Sequence, residues 1–169
     1  MSTGVDILLE KELDADPASG WGHTPELNRY QYPPETKIIA VIPAYNEERT
    51  IGSVVLQARK YATTVIVVDD GSTDKTGEIA REAGAEVIAH AQNLGKGDAL
   101  SSGFRQARAY NPDVVITLDA DGQHNPDDLL LVAEPILKQA ADIVVGSRYL
   151  DHRSQVPRHR VAGHRFFNF

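Results

Sequence analysis

Five short runs of apolar, mostly β-branched residues punctuate the chain, at 38–42, 65–68, 87–88, 114–118 and 143–145, with polar segments between them. Runs this short and this continuous predict strands buried on both faces, because a strand with one wet face alternates instead. Between the runs, residues 47–60, 74–83, 96–109 and 126–139 predict helices. Asp74 and Asn125 stand as N-caps, Pro126 takes a first helical position, and Pro135 should kink the last helix or end it early. Strand alternating with helix predicts an α/β fold with a mostly parallel central sheet covered by helices on both faces.

The two ends of the chain break this pattern. Residues 1–36 carry seven acids against Lys11 and Arg29, with Pro17, Gly20, Pro33 and Pro34 and no sustained periodicity, so they are expected to form an acidic, mostly irregular extension, with Trp21 and Tyr30 as its candidates for docking on the domain. Residues 148–169 hold Arg148, Arg153, Arg158, Arg160 and Arg165 against the single acid Asp151. Within them, 157–169 reads as a helix with Val161, Phe166 and Phe169 apolar and arginines beside them. It is either a surface helix at a membrane interface or an amphipathic helix packed on its own domain.

Composition narrows the function. The formal net charge of −7 over 169 residues argues against nucleic acid held by the overall field. With no cysteine, the chemistry is left to oxygen and nitrogen groups. The longest apolar runs are five or six residues, short of the roughly 20 that span a bilayer, and no basic-then-apolar leader opens the chain. A soluble, cytosolic protein is expected.

In an open parallel sheet, ligands bind beyond the carboxyl ends of the strands, so the residues after each run are the ones to inspect. The first run is followed by Pro43, Ala44, Tyr45, Asn46, Glu47 and Glu48, and the second by Asp69, Asp70, Gly71 and Ser72. The fourth is followed by Asp119, Ala120, Asp121, Gly122, Gln123 and His124, and the fifth by Gly146, Ser147 and Arg148. Four strand ends thus converge on a carboxylate-rich rim.

Asp119 and Asp121, two residues apart at a strand end, face the same way if the backbone stays extended. Two such carboxylates repel unless a cation sits between them. Mg²⁺ or Mn²⁺, with Gln123 as a neutral oxygen ligand and substrate phosphates completing the shell, answers that requirement; an Asp-rich turn is the competing reading. Asp70 is placed to meet a ribose hydroxyl or a base edge, or else belongs to a tight turn and cap. Arg148 is either a fork for a diphosphate or an exposed loop arginine. His124 is the histidine to watch, as a neighbour of the metal site. The turn at 43–47 lacks the glycines of a dinucleotide fold, and Gly95-Lys96-Gly97 lacks the frame of a Walker loop, which sets hydride transfer aside.

Five motifs in this order resemble the inverting glycosyltransferases of family 2 with the GT-A fold, in the dolichyl-phosphate mannose/glucose synthase-like branch: residues 41–48, 67–74, 93–97, 118–124 and 146–149. The resemblance covers about residues 37–169. It implies that Pro43, Tyr45, Glu47 and Asp70 line the nucleoside pocket, with Asp119 beside the donor. It further implies that Asp119, Asp121 and Gln123 hold Mg²⁺ or Mn²⁺, that Arg148 grips the donor phosphates, and that Arg160, on a helix followed by Asn168, meets the acceptor phosphate. Asp121, Arg148 and Arg160 are then the catalytic residues. The implied donor is a GDP- or UDP-sugar and the implied acceptor a lipid phosphate such as dolichyl or another polyprenyl phosphate, at the cytoplasmic face of a membrane. Because family domains continue past the position of Phe169, a chain truncated on its acceptor side is expected, either active or a nucleotide-sugar-binding fragment. A sugar-phosphate nucleotidyltransferase is the competing enzyme class, though it opens with a glycine-rich loop where Pro43 to Glu47 stand.

Overall fold

The computed structural model describes residue 33, residues 35–123 and residues 128–146. Expectations for Trp21, Tyr30, His124, Asn125, Pro126, Arg148, Arg160 and the basic 148–169 stretch lie outside the described residues.

In chain order the elements are β1 (Ile38–Ala44), α1 (Ile51–Ala58), β2 (Thr64–Asp69), α2 (Thr76–Glu82), β3 (Glu86–Ala89), α3 (Lys96–Arg108), β4 (Val114–Thr117) and α4 (Asp128–Leu137). The strands form one parallel sheet in the order β3-β2-β1-β4. The chain therefore winds outward from β1 through β2 to β3, then crosses back over α3 to place β4 on the other side of β1. The reversal lies between β1 and β4, the position where such sheets open a crevice for ligands.

Burial follows the two-residue period of the strands. Ile38, Ala40 and Ile42 of β1, with Val65 and Val67 of β2, pack against Ile51, Val54 and Val55 of α1 and Leu129, Leu130 and Ala133 of α4. Ile39 and Val41, with Ile66 and Val68, turn to the opposite face and meet Ala99 and Ala107 of α3. Each of these buried Ile and Val side chains contributes about 1.5–3 kcal/mol. Small residues let α3 lie close: a Cβ on Gly103 would stand 2.3 Å from Val41 Cγ1.

Two predicted features are corrected. The fifth run is not a strand: 143–146 is irregular, and Ile143 and Val145 are 72% and 73% exposed. Apolar content alone does not make a strand, and no segment among the described residues supplies the hydrogen-bond ladder that 143–145 would need. The first helix begins at Ile51, not Glu47: residues 48–50 form a turn, with the Thr50 and Ile51 amides both bonded back to the Glu47 carbonyl. Pro135 lies inside α4, which ends two residues further on at Leu137, short of the predicted 139, in keeping with an early end.

Candidate active site

The site is assembled by loops that hold one another at the carboxyl ends of the strands. After β1 the chain turns at Asn46, whose φ of 55° is one that asparagine tolerates better than most residues. The Asn46 N–H donates to Ser72 Oγ at 2.9 Å, and Asn46 Oδ1 accepts the Thr73 N–H at 2.9 Å. The Glu47 N–H donates to Thr76 Oγ1 at 2.7 Å and the Glu48 N–H to Asp74 Oδ2 at 3.2 Å; in return Glu48 Oε2 accepts the Lys75 N–H. Orphan amides at the start of α1 are thus satisfied by the loop after β2. Asp74 also accepts the Thr76 N–H at 2.9 Å, so it caps the start of α2 as expected, although Lys75 stands at the boundary position. Glu47 Oε2 accepts the Thr50 hydroxyl, which fixes that carboxylate beside the turn.

The paired acids after β2 divide their work. Asp69 closes the turn, accepting the Ser72 N–H at 3.0 Å. That turn needs Gly71: its φ is +74°, and a Cβ there would meet the backbone carbon of Gln92 at 2.5 Å. Asp70 points the other way and is 3% exposed. Its Oδ1 accepts the His90 ring Nδ1 at 2.7 Å and the Leu94 N–H at 3.0 Å, and its Oδ2 accepts the Gly95 N–H at 2.8 Å. Burial pushes the Asp70 carboxyl up, but the Leu94 amide, the His90 ring and the Gly95 amide together outweigh it, so its pKa lies below the ordinary carboxylate value. A carboxylate offers about four acceptor positions, and three are taken, which leaves room for one hydrogen bond to a ligand.

A cleft of about 450 Å³ opens between these loops, lined by Pro43, Tyr45, Glu47, Asp70, Asp119 and Asp121 together with Asn93, Gly95 and Lys96. The structure therefore brings together every described acid and ring that the motifs singled out for the donor. β4 ends at Thr117 and residues 120–121 form a turn, so Asp119 and Asp121 reach the cleft from a bend and not from the extended backbone expected of them. Asp121 Oδ1 accepts the Gln123 N–H at 2.9 Å, so the turn reading and the site reading of this acid hold together. Gln123 is exposed beside it and is not among the residues lining the cleft.

The donor set fits a hard divalent cation. Four carboxylates line the cleft (Glu47, Asp70, Asp119 and Asp121), with only oxygen chemistry on the acids. A cation already stands on one of them: Lys96 Nζ is 2.5 Å from Asp119 Oδ1. Among the described residues no three His, Cys, Asp or Glu side chains converge into a closed cage. Two carboxylates with open positions suit Mg²⁺ or Mn²⁺ shared with a phosphate ligand better than a fully protein-enclosed metal.

Sequence reasoning passed over Lys96, His90 and the Asn46 to Thr76 lattice. The strand-end rule, applied to the third run as to the others, leads within two residues to His90. Lys96 lies in the 93–97 motif, which by itself points to no role for it. The rim is built from the ends of β1, β2 and β4 and the loop after β3, not from a fifth strand.

A parallel α/β sheet with a carboxylate-lined cleft at its topological reversal defines the open α/β class of protein, in which ligands are taken at the carboxyl ends of the strands. Residues 39–169 match the profile of glycosyl transferase family 2, and the chain belongs to that family. It is 42% identical over 130 residues to UDP-N-acetylglucosamine–dolichyl-phosphate N-acetylglucosaminyltransferase of Methanococcus voltae, covering 66% of this chain and 51% of that protein. It is 35% identical over 124 residues to dolichol-phosphate mannosyltransferase of Pyrococcus furiosus, covering 68% of this chain and 34% of that protein. The chain thus spans about half the length of the first relative and a third of the second. Glucosyl-3-phosphoglycerate synthase from Mycobacterium tuberculosis, solved in complex with Mg²⁺ and uridine-diphosphate, superposes with a TM-score of 0.52 at 33% identity, over 66% of this chain and 42% of that one. Its complex with Mn²⁺, uridine-diphosphate and glucosyl-3-phosphoglycerate gives 0.53 at 32% identity, over 68% and 46%. The GT-A type α/β fold and the family expected from the motifs are borne out. No helix among the described residues is long and apolar enough to cross a membrane.

Proposed function

We propose that this chain binds a GDP- or UDP-sugar with Mg²⁺ or Mn²⁺ and serves an inverting transfer of the sugar to a polyprenyl phosphate such as dolichyl phosphate. The observation that carries the reading is the charge of the cleft: four carboxylates and one ammonium line it. Such a cleft repels a bare nucleoside diphosphate and accepts it together with a divalent cation. The names of the two relatives support the lipid-phosphate acceptor, and the synthase complexes support a nucleoside diphosphate with a divalent metal.

In this reading Pro43 and Tyr45 flank the nucleoside, and Asp70 spends its remaining acceptor position on it. Asp119 and Asp121 hold the ion, with Gln123 as a further oxygen ligand. When bound, the ion neutralises the diphosphate and eases its departure. Arg148 pairs with the same phosphates, and Arg160 orients the acceptor phosphate; both roles rest on the motif positions alone. A phosphate acceptor is already an anion, so no side chain need remove a proton before it attacks the anomeric carbon from the face opposite the leaving diphosphate. The basic 148–169 stretch then works at the cytoplasmic face of the membrane that holds the acceptor.

Calorimetric titration of UDP and GDP, each with and without Mn²⁺, tests the reading. Mn²⁺ should tighten binding at least about tenfold in the native chain, and Asp121→Ala should abolish that gain without changing the thermal melt, since the residue is exposed. Equal affinities with and without metal, in both proteins, would falsify it.

A further inference from the structure

Asp70 is held by a chain of side chains that leads away from the cleft. Its partner His90 is largely buried, with a side chain 11% exposed, and the other ring nitrogen, Nε2, lies 3.0 Å from Ser102 Oγ on α3. Arg105, one turn further along α3, donates Nη2–H to the same Ser102 oxygen at 3.0 Å. The Asp70 carboxylate only accepts, so the His90 Nδ1–H donates to it. An arginine only donates, so Arg105 takes one lone pair of Ser102, and the hydroxyl keeps its second lone pair and its hydrogen for contact with His90 Nε2. The contacts form a chain from Arg105 through Ser102 and His90 to Asp70.

Asp70 in turn holds the backbone of Leu94 and Gly95, and Asn93, Gly95 and Lys96 form one wall of the cleft. From this we infer that His90 is a positioning residue for nucleotide binding: it turns the Asp70 carboxylate toward the loop after β3 and so sets the wall against which the nucleotide lies. Ser102, outside the cleft and on the helix behind the sheet, braces the ring from its Nε2 side. The inference rests on the reading of the cleft as a nucleotide site.

Two substitutions separate the nitrogens of the ring. His90→Asn keeps a donor where Nδ1 stands and loses the contact to Ser102, whereas His90→Gln sends its amide toward Ser102 and leaves Asp70 without that donor. With the full chain, calorimetry of UDP with Mn²⁺ should show His90→Gln weakened about tenfold, the effect of one charge-assisted hydrogen bond. His90→Asn should stay within about threefold of the native chain, and Ser102→Ala should lie between them. In the nucleotide-free protein, amide hydrogen exchange should quicken at Leu94 and Gly95 in His90→Gln and be preserved in His90→Asn. Equal losses in the Asn and Gln variants would mean that the ring only fills space, and unchanged exchange at Leu94 and Gly95 would overturn the inference directly. If the native chain binds no nucleotide, the proposed function fails, and the exchange data still decide whether His90 positions the loop. Should His90→Gln not fold, His90→Asn against Ser102→Ala decides the matter: a Ser102→Ala chain with native exchange and native affinity would remove the relay.

Discussion

Asp70→Asn keeps the volume of a buried side chain and removes its charge, so it isolates what the carboxylate contributes. The carboxylate takes three donors: the His90 ring and the Leu94 N–H on Oδ1, and the Gly95 N–H on Oδ2. An asparagine has one acceptor oxygen. Turned to keep His90 and Leu94, it aims its own NH₂ group at the Gly95 N–H; turned the other way, it confronts two donors. The first orientation costs less, because the Gly95 N–H also reaches Asn93 Oδ1 at 3.0 Å and is not stranded. One charge-assisted bond is then lost and two become neutral. At about 1.5–3 kcal/mol for a bond to a charged group against about 1 for a neutral one, the total is about 2.5–7 kcal/mol. In a domain of this size that lowers the melting temperature by about 5–25 °C. Urea unfolding followed by circular dichroism measures it, and titration with UDP and Mn²⁺ under native conditions should show weaker binding as well, since the released loop lines the cleft. A variant within about 0.5 kcal/mol of the native chain, the range of an ordinary surface substitution, would show that the carboxylate does not hold the loop.

Gly71→Ala should destabilise the domain by about 2–5 kcal/mol, combining the strain of a left-handed φ with overpacking against the Gln92 backbone; an unchanged urea midpoint would contradict this. Lys96→Met removes an exposed ion pair with Asp119, so it should cost less than about 1 kcal/mol of stability. The same change should tighten Mn²⁺ binding in the absence of nucleotide, because the ion no longer displaces an ammonium; an affinity equal to or below that of the native chain, read by paramagnetic resonance of free Mn²⁺, would refute it. Burial raises the carboxyls of Asp70 and Asp74, but hydrogen bonds outweigh it in both, and their pKa values are held below the ordinary one. A carboxyl lowered on folding stabilises above its unfolded value, near about 4, and that stability is lost as the pH falls through the lower folded value. Stability should therefore drop from about pH 4 downward, less steeply in Asp70→Asn, and a midpoint constant from pH 5 to 3 would refute the assignment.

Much of the fold was legible because its strands are buried on both faces, which writes them as unbroken apolar runs. β1 and β2 appear that way and were found. β3 is an edge strand with only half-buried side chains, so its visible run was two residues long and the ladder with β2 extended it to Glu86 and Ala89. The 143–145 run shows the limit of the rule. Three apolar residues look the same whether or not a partner backbone lies beside them, and pairing is a property of the whole sheet. The late start of α1 is equally invisible in the chain: residues 48–50 make a turn that leads into the helix, and the amides of Glu47 and Glu48 are held by Thr76 and Asp74, which are distant in sequence.

The site was legible to the extent that its chemistry is local to the strand ends. Asp119, Asp121, Glu47 and Tyr45 follow their runs directly, and they line the cleft. What escaped notice is the set of groups whose role lies in whom they touch. The sequence offers Asp70 as a ligand residue or a turn residue, yet its carboxylate holds the loop after β3 and keeps one acceptor position open. On the proposed reading, that double duty binds two properties together: any change that frees the acid to meet a nucleotide more fully also loosens the wall against which the nucleotide would lie. Affinity in this cleft should then depend as much on how firmly the loop is held as on the groups that touch the ligand, so the proposal joins a buried histidine and a serine on the far helix to the exposed acids.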